Sequence, residues 1–189
     1  ARQVDYLNNV IGRERLSAWT ANIAFAGFTA PKILWMRENE PENFARIAKI
    51  MLPKDYVNYI LTGVHACDDS DASGTLLLDV KNKRWSREML DICGVREMQM
   101  PRLFESYQCI GTVKPDIARA LGLGDNVKVA AGAGDNAAAA VGTGVVGDGG
   151  CNISLGTSGT VFISSENFGV DRHNALHAFA HADGGYHLM

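Results

Sequence analysis

The sequence predicts an α/β fold. Helical patterns and short apolar strands alternate along the chain instead of being segregated into separate halves. Three of the helical patterns start at a proline, which is tolerated at a first helical turn because that N–H has no partner anyway. Between them, TLLLDV (residues 75–80) and VKVAA (residues 127–131) read as strands bounded by turn residues. With 189 residues, 47% of them hydrophobic and 21% charged, the chain has globular proportions and is long enough to bury a core.

Taken in order, residues 4–25 carry Val4, Leu7, Val10, Ile11, Leu16 and Trp19 at helical spacing. Gly12 and Ser17 interrupt them, so one or two short helices are expected. Pro31, Pro41 and Pro53 each open a helix, the last closed by Gly63. Residues 68–74, DDSDASG, read as a turn-rich solvated loop before the strand at 75–80, with Asp71 placed near a ligand. Ser86 caps a helix ending near Gly94. A loop containing Pro101 follows, then a passage from Val113 into a helix at residues 115–121. The strand at 127–131 leads through glycines into a helix at 135–141. Residues 142–150 form a glycine-dense connector, the best candidate for a domain boundary. Residues 153–155 and 161–164 read as two strands around GTSG. The histidine-bearing tail from Arg172 is expected to be irregular apart from a short final strand.

Charge excludes some functions. The net charge of -3 and the lack of a basic run argue against nucleic acid or an anionic membrane as partner. No apolar run approaches the roughly 20 residues of a membrane span. Cys67, Cys93, Cys109 and Cys151 show no framework spacing and read as reduced, mostly buried thiols, which points to the cytoplasm. Ala1 begins inside a helical pattern and Met189 follows His187 closely, so the natural protein is expected to be longer. DDSDASG resembles the start of a calcium loop, but position twelve, which needs a bidentate glutamate, is Val80. His173, His177 and His181 would align on a helix, yet no cysteine or glutamate completes a zinc site.

The strongest local feature is VKVAAGAGDNAAAAVG, residues 127–142. A strand runs through a glycine turn into a helix that starts at Asp135 and Asn136. Asp135 serves either as a helix N-cap or as a general base; the two roles are compatible. The carboxyl end of a strand is where α/β sheets bind ligands, and a helix N-terminus favours an anion. Gly132, Gly134 and Ala137 also fit G-x-G-x-x-A, which keeps an NAD-binding oxidoreductase open as an alternative. Against it, Asp135 would repel a pyrophosphate, and no acid stands about 20 residues on for the ribose. A second feature, SLGTSGT at residues 154–160, is either a plain hairpin turn or a loop whose N–H groups wrap phosphate oxygens.

Several stretches in order then match a family. The run from Gly27 to Asn39, GFTAPKILWMREN, fits a signature of the FGGY carbohydrate kinases, and LPKDYVNYILTG, SDASGTLLLD, AGAGDNAAAAVG and SLGTSGTVF follow at similar spacing. The resemblance covers essentially the whole chain. It implies two ribonuclease H-like domains, as in actin and hexokinase, with residues 1–146 the later part of the sugar-binding domain and 147–189 the first strands of the ATP-binding domain. It implies that ATP and Mg serve as cofactors and that a sugar is the acceptor. Asp135 would take the proton from a sugar hydroxyl and Asn136 would bind sugar hydroxyls. Gly156, Thr157 and Ser158 would form the phosphate-binding hairpin. GDNAA, with asparagine where similar glycerol kinases carry glutamine, resembles the members that phosphorylate the 5-hydroxyl of D-xylulose, with another pentulose or polyol kinase of the family as the alternative. The full-length protein is expected to be a homodimer. The family's N-terminal strand with its metal- and phosphate-facing aspartate, its methionine-histidine-glycine sugar motif and its adenine-binding glycines have no match here, so the chain by itself is expected to be inactive.

Overall fold

The computed structural model describes residues 2–157 and 159–189. Residues 2–20 form one nearly continuous helical segment. Arg2–Asp5 and Arg13–Thr20 are α-helical, and Tyr6–Gly12 between them is wound as a π-helix. The interruption expected at Gly12 is absorbed as widened turns, which keep Leu7 and Leu16 fully buried.

The proline-started helices form as predicted. Thr29–Asn39 carries Pro31 in its first turn, and Pro41–Ala45 and Pro53–Thr62 begin at their prolines. Gly63 closes the last of these in the left-handed region at φ 78°, which a residue without a Cβ adopts freely. Ser86 caps Arg87–Cys93 by accepting the Met89 N–H at 3.3 Å. Pro115–Ala120 and Asp135–Gly142 complete the α-helices of the middle of the chain, apart from one short turn.

That turn corrects the sequence reading. Residues 68–74 are not a solvated loop. Asp69–Ser73 is one helical turn with Asp68 as its N-cap, and Asp68, Asp69, Ser70 and Ser73 are buried. An aspartate-rich stretch looks solvent-facing unless its partners are known, and those partners come from distant segments. The strand expected at 75–80 is reduced to Leu78–Asp79, paired with Arg84–Trp85. Leu76 at φ 61° breaks the extension, although Leu76, Leu77 and Leu78 remain fully buried as predicted.

Two strands went unseen because they are three residues long. Ala66–Asp68 pairs in parallel with Arg102–Phe104, just after Pro101. Cys109–Thr112 pairs antiparallel with Lys128–Ala130, the core of the VKVAA strand. The tail is more regular than expected. Ala178–Ala180 and Tyr186–Leu188 join Cys151–Leu155 and Gly159–Ser165 in a four-stranded antiparallel sheet. Among the described residues, the outer edge of Ala178–Ala180 is met by side chains. Asn22 donates to the Ala178 carbonyl at 2.9 Å and accepts its N–H at 3.1 Å, and Ser73 Oγ accepts the Ala180 N–H at 3.0 Å.

The main core gathers Leu7, Leu16, Leu34, Leu77, Met89 and Phe179 from the helices and the tail sheet. Cys67 and Cys93 are buried within this interior, and burial pushes the Cys93 thiol up to about 12. Cys109 and Cys151 are exposed, so only half of the thiols are interior, not most of them. Leu77, fully buried and of full leucine volume, is expected to cost about 2–5 kcal/mol when replaced by alanine. Chemical denaturation of Leu77→Ala beside the parent protein measures this.

Candidate active site

The site is assembled where short strands end. Asp68 is the last residue of its strand and Ala131 lies just past the end of Lys128–Ala130. Both positions are reached by the Pro53–Thr62 helix. Lys54 Nζ lies 2.9 Å from Asp68 Oδ1 and 2.9 Å from Asp55 Oδ1, and donates to the Ala131 carbonyl at 3.1 Å. Asn58 Nδ2 donates to the same carbonyl at 2.9 Å. Burial works against the Lys54 charge, but the Asp68 and Asp55 carboxylates more than offset it and hold the ammonium well above its ordinary range.

Asp68 is fully buried and its second oxygen is richly satisfied. Oδ2 accepts from Ser70 Oγ, from Ser70 N at 2.9 Å and from Ser106 Oγ at 2.8 Å. Gly132 occupies φ 83°, and a Cβ there would stand 3.0 Å from the Lys54 stem. The first glycine of the turn is therefore required both by its backbone and by the packing of Lys54.

Asp135 is the first residue of its helix, and Gly134 is the N-cap. The reading of Asp135 as an N-cap is corrected accordingly. Its carboxylate instead leans on its neighbour: Oδ1 accepts the Asn136 N–H at 2.8 Å and Asn136 Nδ2 at 3.2 Å. Among the described residues, Oδ2 has no hydrogen-bond partner and remains available to a proton donor. Asp135 and Asn136 line a pocket of about 220 Å³ together with Ser70, Asp71, Phe28 and His187. That is below the roughly 300–1,000 Å³ of drug-sized sites and suits a small molecule.

The pocket has an acidic side and an uncharged aromatic side. Asp71, placed near a ligand by the sequence, does line it. Burial raises its carboxyl to about 6; Lys54 opposes this, and the charges of Asp68, Asp55 and Asp135 add to it. Opposite, His187 is held down to about 3 by burial and stacks on Phe162 at 4.0 Å, and burial also lowers His177. A neutral imidazole such as that of the half-buried His177 offers a hydroxyl group both a donor and an acceptor. His177 and His181 flank the Ala178–Ala180 strand and do not share a helix face.

Gly156 and Thr157 form the exposed turn between Cys151–Leu155 and Gly159–Ser165; Ser158 lies outside the described residues. Neither Gly156 nor Thr157 lines the Asp135 pocket. The sequence reading missed Lys54, Asn58, Ser70, Phe28 and His187. A lysine directly after a helix-opening proline, within reach of no local acid cluster but Asp55, carried no signal of its distant partners.

No set of three or more His, Cys, Asp or Glu side chains able to hold a metal occurs among the described residues. No helix among the described residues is long and apolar enough to cross a membrane.

The G-x-G-x-x-A turn is not a dinucleotide site. Its strand pairs antiparallel in a two-stranded sheet, whereas that fingerprint works inside a parallel βαβ unit. A glycine turn carries Asp135 into a small pocket instead, and comparison with known proteins gives the family. The model for the FGGY family of carbohydrate kinases, N-terminal domain, matches residues 1–142, and the chain belongs to this family. The xylulose kinase of Escherichia coli K12 is 47% identical over 171 residues, covering 90% of this chain and 35% of that protein. The xylulose kinase of Lactococcus lactis is 45% identical over 181 residues, covering 96% and 36%. A crystal structure titled as a xyloylose kinase from Brucella ovis superposes with a TM-score of 0.94 at 43% identity, over 100% of this chain and 38% of that one. The chain thus spans about a third of the length of its curated relatives, and over the part that it covers it has the expected ribonuclease H-like, actin- and hexokinase-like fold class.

Beside the pocket, Asp69 is raised to about 7, chiefly by burial, with Glu105 adding and Lys83 opposing. A carboxyl whose folded value lies above its unfolded value favours the fold while protonated. That contribution is complete below about pH 4 and is lost as pH rises through about 7. Asp69→Asn stays neutral throughout, so its melting temperature relative to the parent is expected to be higher at pH 8 than at pH 5. Thermal melts of both proteins at the two pH values check this.

Proposed function

We propose that the full-length protein transfers the γ-phosphoryl group of ATP to the 5-hydroxyl of D-xylulose. The observation that carries this is Asp135 heading a helix into a small pocket shared with Asn136 and Asp71, in a chain 47% identical to a xylulose kinase over 171 residues. Asp135 Oδ2 accepts the hydroxyl proton as the oxygen attacks phosphorus, and the bond from the γ-phosphorus to the bridging oxygen breaks to release ADP. Asn136 holds Asp135 Oδ1 and presents its remaining amide capacity to sugar hydroxyls. Phosphoryl transfer depends mainly on such positioning and on charge stabilisation.

Gly156, Thr157 and Ser158 are assigned to the ATP phosphates as a glycine-bounded hairpin turn between two strands. Residues 1–146 belong to the sugar-binding domain and residues 147–189 to the ATP-binding domain; the end of the family match at residue 142 supports that division. Mg accompanies ATP through ligands supplied elsewhere. The assembly is a homodimer in the cytoplasm.

In the full-length protein, Asp135→Asn is expected to lower kcat by roughly 10²- to 10⁴-fold, the range of a lost general base. An ADP-coupled assay with D-xylulose measures it, and unchanged turnover removes Asp135 as the base. The 189-residue chain by itself is expected to show no ADP release above background, since it spans 35% of the Escherichia coli relative.

A further inference from the structure

We propose that Ser70 is a positioning residue for Asp135, fixed in turn by the buried Asp68 and Lys54. The inference rests on the reading of Asp135 as the base.

The Ser70 hydroxyl has one proton and two lone pairs. Asp68 Oδ2, an ionised acceptor that cannot donate, takes the proton. A lone pair is thereby left to accept the Gly134 N–H, 3.0 Å away. Gly134 is the residue immediately before Asp135 and the N-cap of its helix. Any displacement of its peptide moves the carboxylate directly.

The remainder of the turn is held by other means. The Ala131 carbonyl is fixed by Lys54 and Asn58, and the Gly132 N–H donates to the Ser106 carbonyl at 3.1 Å. Ser70 is the contact next to the base. Its support is rigid because Asp68 is fully buried, Ser70 is 4% exposed, and Lys54 sits 2.9 Å from the other Asp68 oxygen. Charge-assisted hydrogen bonds inside a protein are stronger and better oriented than neutral ones in water. A chain of contacts thus runs from Lys54 through Asp68 and Ser70 to the peptide that aims Asp135. Ser70 and Asp71 also line the pocket, so the turn that carries Ser70 is itself part of the sugar's surroundings.

The test uses the full-length protein with D-xylulose and ATP. Ser70→Ala is expected to lower kcat by about 10- to 100-fold, the effect of a misplaced reacting group, with KM for both substrates changed less than about threefold. Ser70→Thr keeps the hydroxyl and is expected to recover most of the loss. In an Asp135→Asn background, Ser70→Ala is expected to add no further loss, because no base remains to be aimed. If Asp135→Asn retains the parent kcat, the assignment of the base fails. If Asp135→Asn loses activity while Ser70→Ala keeps it, or if the Ser70→Ala loss persists in full on the Asp135→Asn background, the positioning role fails. Should Ser70→Ala not fold, Ser70→Cys against Ser70→Thr carries the comparison. A weakly accepting thiol is expected to lose kcat and a hydroxyl to keep it, and equal rates overturn the proposal.

Discussion

The structure depends on a charge placed where charge is expensive. Asp68 has no exposed surface, and an isolated carboxylate there would cost several kcal/mol. Lys54 supplies the opposite charge from another helix, Ser70 supplies hydrogen-bond donors from the turn that Asp68 caps, and Ser106 supplies one from a further segment. Three stretches of chain therefore meet at one carboxylate. Replacing such a pair by apolar residues can be neutral or even stabilising, so stability alone does not account for it. What the buried carboxylate adds here is direction: the hydrogen bonds it accepts from Ser70 and Ser106 have angles, and apolar contacts have none.

That direction reaches the pocket in two ways. Lys54 touches the carbonyl at the end of one strand while its partner Asp68 ends another, so the two strand ends keep a fixed separation. The same network sets the electrostatics of the cavity wall, since Asp71 feels burial, the nearby carboxylates and Lys54 at once. The aromatic side is quiet by contrast. His187 and His177 are held uncharged by their burial and leave the acids as the ionisable groups on the other side.

Much of this was legible in the sequence and some of it was not, for definite reasons. The proline-opened helices and the Asp135–Gly142 helix follow from local rules, since their starts and ends depend on backbone groups within one turn. Asp135 and Asn136 were legible because a glycine turn into a helix is itself a local pattern. Asp68–Ser73 was misread because its carboxylates are neutralised by residues far away in sequence, and composition alone makes such a run look solvated. The paired strands at 66–68, 102–104 and 178–180 were missed because three residues are too few to show a period of two. Ser70 was invisible as an orienting group: its worth comes from Gly134, 64 residues further on.

Asn22 carries a consequence for how the chain is made. Its amide closes on both sides of Ala178, a residue 156 positions later, and both groups are buried. Long-range contacts of this kind form slowly, because a large loop must close before they yield anything. On a ribosome adding about 5–20 residues per second, Asn22 would wait on the order of ten seconds for its partner to be synthesised. Over that interval the buried amide beside the first helices lacks the edge strand that satisfies it. The segment around Asn22 is therefore finished late, although it is made well before its partner.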